Sequence, residues 1–560
     1  MGDQGTSKWV ILVASIWIQA FTGTNFDFSV YSSELKSVMG ISQVQLNYLS
    51  LASDLGKAFG WCCGLSLVYL PLGVVLLMAA FMGLFAYGLQ WLLIKSLISM
   101  PYPLVFLLCL LAGCSICWFN TICYILCIRN FQTSRAPAVS LTTSFNGLSA
   151  ALYTLIANAI DSSDHTLYLL LNASVPLLAS IIALVSIHYQ SIVKSLPIDA
   201  DESESLMFLL LNILAAFTGL HLLILNTISY QALAARAFFA GAVLLLVLPL
   251  FLPGIVHNHV RTVKTICSNF HLQGKPYESN HNDLKLHKGY VETNAIVEEN
   301  GCCEKLIEKD ESTMHGEEHS VKMLVQSWDF WLYYVAYFSG GTIAIVYSNN
   351  LGQISESLDH GSETSTIVTL FSTCSFFGRL LSAAPDYLHQ KFPMARTGWL
   401  AIALSPLPIA FFLLAASGST MAFHVGTALV GLSSGFIFSV AVSITSEIFG
   451  PKSLGVNHNI LITNIPLGSL FYGFLAAVIY DLNSRSSMME AQVGEVMSCM
   501  GKQCYMHTFL LWGCFSLLGL ASSFLLFRQT RPVYDRFLIK RNQKWRQMFP
   551  MGMSSSSIDG

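Results

Sequence analysis

Residues 72–94 read LGVVLLMAAFMGLFAYGLQWLLI, a run without a single Asp, Glu, Lys or Arg. About 20 apolar residues in a helix span the roughly 30 Å hydrocarbon core of a bilayer. Lipid offers the backbone no hydrogen-bond partner, so a run of this length is expected to be a transmembrane helix. Outward from it, further runs read the same way at 9–30, 45–68, 103–128, 137–160, 166–189, 207–228, 232–256, 328–349, 364–384, 397–416, 420–446, 456–480 and 506–527, giving fourteen spans. Of 560 residues, 54% are hydrophobic and 11% charged, and the mean hydropathy is +0.58. That balance belongs to a multi-pass membrane protein rather than a soluble enzyme. The first run carries Asn25 and Asp27, is too long for a signal-peptide core and has no A-x-A-like site, so it reads as a spanning helix and not a leader.

Cations sort by loop. Counting from a cytoplasmic N-terminus, the even loops hold Arg129 and Arg135, Lys194, Arg261 and Lys264, Lys391 and Arg396, and Lys452, while the odd loops hold Asp161 and Asp164, or Glu356, Asp359 and Glu363. The tail from Arg528 to Arg546 is basic. The positive-inside rule then places both termini in the cytoplasm and requires an even number of spans.

The stretch from His257 to Val321 is polar and charged in both signs, which predicts a disordered cytoplasmic loop. Its histidines repeat no ligand spacing, so no metal site is assigned, although a metal-ion carrier using this loop stays open as an alternative function. Most of the fourteen cysteines, Cys62, Cys63, Cys114 and Cys117 among them, lie in apolar runs and behave as small hydrophobes. Only Cys499 and Cys504 are positioned for a disulfide.

The two ends of the chain repeat each other. Gly56-Lys57 precedes Pro71 by the same interval as Gly378-Arg379 precedes Pro393; Gly147 and Asn464 stand equally far beyond Arg135 and Lys452; Gly23-Thr24 corresponds to Gly341-Thr342. The order holds across six spans in each half, predicting two parallel six-helix bundles around a central cavity. The expected organisation is a first bundle over 1–195, two extra helices over 196–256, the loop over 257–326, a second bundle over 327–530 and a basic tail over 531–560.

Gly378-Arg379-Leu380-Leu381-Ser382, followed by Asp386-Tyr387 and Arg396, resembles the loop motif between the second and third helices of a major facilitator half. The first half departs from it, with Gly64 in place of the acid. Lys8-Trp9-Val10, Gly23-Thr24-Asn25-Phe26, Tyr31-Ser32-Ser33-Glu34-Leu35-Lys36 and Asp54-Leu55-Gly56-Lys57 are similar to the nodulin-like transporters of plants, often described as nuclear fusion defective-like. The resemblance implies an all-α major facilitator fold in a plant plasma membrane or internal membrane, and supplies no substrate.

Polar groups within spans need a reason, since a central charge costs on the order of 2.5–3.5 kcal/mol. Asn25, Asp27 and Tyr31 in the first span, Asp54 and Lys57 in the second, Asn146 in the fifth and Asn464 in the thirteenth are the candidate pathway residues. Asp27 either carries a proton or cation, or sits solvated at the headgroup edge. Asp54 and Lys57 share a helix face and either neutralise each other or exchange partners as the cavity changes sides. Arg379 lacks an acid three residues before it, so its partner is expected from Asp386 or Glu447, forming with Arg396 a gating network.

No phosphate-cradling Gly-rich loop, H-E-x-x-H or nucleophile elbow occurs. The expected function is secondary active or facilitative transport of a small solute by alternating access, with protons as the candidate coupling ion, the bilayer as the other partner, and neither cofactor nor nucleic acid. A non-transporting sensor or scaffold is the alternative from another class.

Overall fold

The computed structural model describes residues 4–131, 134–161, 164, 166–192, 201–227, 232–254, 319–388, 392, 394–450, 453–488 and 499–548. Among these, twelve helices are long and apolar enough to cross a membrane. They are α1 Lys8–Met39, α3 Leu72–Ile94, α4 Tyr102–Asn130, α6 Leu167–Ile187, α7 Leu206–Ile224, α8 Ala235–Gly254, α9 Trp328–Asn349, α10 Thr364–Leu388, α11 Arg396–Ala416, α12 Thr420–Phe449, α13 Leu454–Asn483 and α14 Gln503–Pro532. The two other expected spans are each made of two shorter helices: α2 of Gln43–Lys57 and Gly60–Tyr69, and α5 of Arg135–Gly147 and Ser149–Ile160.

Local chemistry sets these ends. Ser42 opens α2 with a capping box, its hydroxyl accepting from the Gln45 amide at 3.2 Å while its own amide donates to the Gln45 side chain at 2.9 Å. Pro71 separates α2 from α3 because it cannot continue a helix. Helix α14 runs on without interruption to Met548.

The repeat read from the sequence recurs as matched helix breaks. In the first half α1 tightens to a 3₁₀ turn at Thr24–Asp27 and α5 breaks at Leu148. In the second half α9 widens to a π turn at Phe338–Thr342 and α13 breaks at Thr463. The packing repeats as well. A Cβ on Gly113 would collide with the Ser53 carbonyl of α2, and one on Gly435 with the Ser375 carbonyl of α10, so α2–α4 and α10–α12 meet backbone to backbone.

Each half has its own apolar core: Tyr347, Phe371, Phe411 and Trp512 centre the second, and Leu49, Tyr87, Tyr153 and Leu169 lie at the centre of one cluster of the first. The extra helices lie against the joint between halves. Gly219 of α7 packs on the rings of Phe376 and Phe377 of α10, and Trp17 of α1 donates to the Leu246 carbonyl of α8 at 2.8 Å. Lys8 and Glu204 form an ion pair that ties the start of α1 to the first helical turn of the Asp201–Thr227 helix, of which α7 is the apolar part.

A short ordered segment precedes α9. His319 donates from its amide to the Phe449 carbonyl at 3.2 Å, its ring stacks edge-on against Phe449, and a helix follows at Val321–Gln326. The rest of the predicted loop, including its other histidines, lies outside the described residues. Cys499 and Cys504 are joined by a disulfide.

Candidate substrate pathway

The halves touch toward both ends of the bundle. On the face away from the start of α1, Ser29 donates to the Ser348 carbonyl at 2.7 Å and Ser33 to Glu356 at 2.6 Å. Toward the opposite face, the Ser140 hydroxyl donates to the Arg379 carbonyl at 2.8 Å, and Thr143 and Ser439 share a hydrogen bond of 3.2 Å. Between them the polar candidates fall into three groups.

Asp54 is 1% exposed. Lys57, one turn along α2, donates to it at 2.6 Å. From the other half Ser469 of α13 donates to its second oxygen, and Asn349 at the end of α9 approaches the same oxygen at 3.4 Å. The neutralising pair expected from spacing is therefore present, and it also bridges the halves. Ser469 and Asn349 were not among the expected residues; a hydroxyl and an amide in apolar surroundings were their signal.

Asn25, Tyr31, Asp54 and Asn349 line a narrow cavity of about 350 Å³, open space at its mouth included. Asp27 lies apart from it. Asp27 is fully buried, forms no ion pair among the described residues, and has the Asn172 side chain of α6 as its polar partner. Of the two readings of Asp27, a merely solvated carboxylate does not fit its full burial at the end of the 3₁₀ turn that follows Gly23.

Arg379 departs from its expected partners. Its Nη1 donates to the Thr143 carbonyl at 3.0 Å and to the Asn146 side-chain oxygen at 3.1 Å, both on α5 of the other half. Phe26 and Phe438 lie 5.8 and 5.7 Å from the guanidinium. Asp386 and Glu447, expected to serve Arg379, instead both grip Arg396. The physical reason is depth. Arg379 sits in the joint at 7% exposure, whereas the two acids stand near the helix ends, where Arg396 opens α11. Asp386, Arg396 and Glu447 are brought together as expected, without Arg379. Asn464 accepts from Thr342 of α9 at 2.8 Å and stays within its own half.

Solved structures share this architecture. The chain is 10% identical to a bacterial homolog of the human lysosomal transporter Spinster, inward-facing and unoccupied, with a TM-score of 0.51 over 93% of this chain and 97% of that one. It is also 10% identical to a variant of the nucleoside transporter NupG, with a TM-score of 0.50 over 93% and 100%. A Nodulin-like family model matches residues 8–254 and an "NFD4, C-terminal domain" model matches residues 314–536. Protein NUCLEAR FUSION DEFECTIVE 4 of Arabidopsis thaliana is 54% identical over 533 residues, 94% of this chain and 90% of that protein. Probable transporter MCH1 of Yarrowia lipolytica is 28% identical over 211 residues, 35% of this chain and 41% of that protein.

The twelve membrane-length helices and the likeness to these solved structures define a class of multi-pass, all-helical membrane proteins with the fold of these transporters. Within that class the chain belongs to the nodulin-like family, as a relative of NUCLEAR FUSION DEFECTIVE 4.

Proposed function

We propose that the protein carries a small solute by alternating access, its two six-helix halves rocking about the joint between α2 and α13 and between α5 and α10, with both termini in the cytoplasm. The observation that carries this reading is the double engagement of Asp54, held by Lys57 within α2 and by Ser469 and Asn349 across the joint. Rocking opens the cross-joint bonds and leaves the intrahelical pair, so the charge distribution at mid-depth depends on which side is open. Breaks in α1, α5, α9 and α13 fit solute sites built from discontinuous helices. Protons are the coupling ion of this reading, and Asp54 and Asp27 are the two carboxylates available to take them.

The test is untargeted solute uptake into vesicles holding the purified full-length protein, with and without an imposed pH gradient, for the natural sequence and Asp54→Asn. Gradient-driven accumulation of one solute, lost in Asp54→Asn, supports coupled transport. Absence of any accumulation by folded natural protein overturns it in favour of a sensor or scaffold.

A further inference from the structure

Arg379 is a buried cation with no acid. Among the described residues no carboxylate forms an ion pair with it, and its Nε hydrogen has no acceptor. A guanidinium cannot shed its charge by deprotonation in a protein, and a buried charge without a counter-ion is costly. Its present acceptors are neutral, a backbone carbonyl and an amide oxygen. The Asn146 amide nitrogen beside it is also a buried donor with no partner. Two neighbouring orphaned donors, one of them charged, form a cradle for an anion.

Charge and surroundings narrow the class. Asp54 is already matched by Lys57, and no ion pair joins Asp27 to Arg379, so one negative charge brought to Arg379 matches its own. Phe26 and Phe438 flank the guanidinium and offer an apolar body a surface that a strongly hydrated phosphate dianion would not use. Building on the transport reading above, we propose that the solute is a small organic monocarboxylate. Its carboxylate takes the free Nε–H of Arg379 and the free amide N–H of Asn146 when the halves part and Nη1 leaves the Thr143 carbonyl and Asn146 oxygen that hold it in the closed joint.

The test uses purified full-length protein with acetate, pyruvate and benzoate as probes, benzamide as the neutral isostere of benzoate, and inorganic phosphate. Thermal unfolding is read alongside vesicle uptake of the labelled probes and of a mixture of neutral solutes. At least one monocarboxylate is expected to raise Tm, with benzamide and phosphate inactive. Arg379→Gln and Arg379→Lys each weaken that binding at least about tenfold, as loss of a charge-assisted hydrogen bond implies. Asn146→Ala keeps the cation and weakens binding by a smaller factor, which guards against a folding defect at Arg379.

A Tm shift by phosphate or benzamide equal to that by the monocarboxylates overturns the proposal. So does monocarboxylate binding unchanged in Arg379→Gln, or no shift by any of the three. Uptake of a neutral solute unaffected by Arg379→Gln removes the anion site and leaves the transport reading standing. Arg379-dependent binding without flux removes transport and leaves the site.

Discussion

Arg379 on α10 and Asn146 on α5 meet across the joint of the two halves at 3.1 Å, guanidinium nitrogen to amide oxygen. The hydrogen bond joins repeats that each have their own core, so parting the halves must break it. The same holds for Asp54 with Ser469. The joint is thus held by polar contacts exchangeable with water or solute together with apolar ones, Phe26 against Phe371 and Phe145 against Phe376, which must also part.

Ser469→Ala removes one donor to the Asp54 carboxylate. Hydrogen bonds to charged groups contribute roughly 1.5–3 kcal/mol, so the closed joint loses most of that. The labelling rate of a cysteine introduced as Ser348→Cys, in the far-face contact with Ser29, should rise about tenfold or more in that background. An unchanged rate would mean that Asp54 does not help to close the joint.

Asp27→Asn replaces a buried carboxylate whose polar partner is the neutral Asn172 amide with a neutral side chain of nearly the same shape. Burying an unpaired charge is unfavourable, so Tm near pH 7 should hold or rise while gradient-driven uptake falls. A marked fall in Tm would show that Asp27 is a structural anchor.

Arg396→Ala leaves Asp386 and Glu447 facing each other without their shared cation. Both acids are partly exposed, and after screening by solvent the cost is about 1 kcal/mol. Asp386→Asn should cost less, because Glu447 still holds Arg396. Equal Tm losses in the two variants would argue against the three-residue arrangement.

Gly435→Ala pushes a methyl group into the Ser375 carbonyl, where no flexible side chain can yield, and should destabilise by about 1–3 kcal/mol. Gly64→Ala meets nothing within 4 Å and should be neutral or stabilising by up to about 1 kcal/mol. Thermal unfolding in detergent distinguishes the two; a neutral Gly435→Ala would contradict the backbone contact of α10 and α12.

Spans and repeat were legible because hydropathy and residue order survive in one dimension. Gly23-Thr24 and Gly341-Thr342 did mark the matched breaks of α1 and α9, and Gly56 and Gly378 lie at matched backbone contacts, with Leu110 and Leu432. Depth was harder to read. Hydropathy gave no reason to expect that Asp27 would be fully buried, or that Arg379 would lie buried in the joint while Asp386 stays partly exposed. The cross-half partners Ser469, Asn349 and Thr143 are ordinary polar residues whose meaning arises only when two distant spans meet.

The central claim is that the halves must part for solute to cross. The Ser140 and Ser382 hydroxyls face each other at 3.0 Å across the joint, so the double variant Ser140→Cys, Ser382→Cys places two thiols where a disulfide can lock it. Uptake into vesicles should stop when this variant is oxidised and return on reduction, with the natural protein indifferent to either treatment. Uptake that continues through the locked joint would contradict alternating access in this protein.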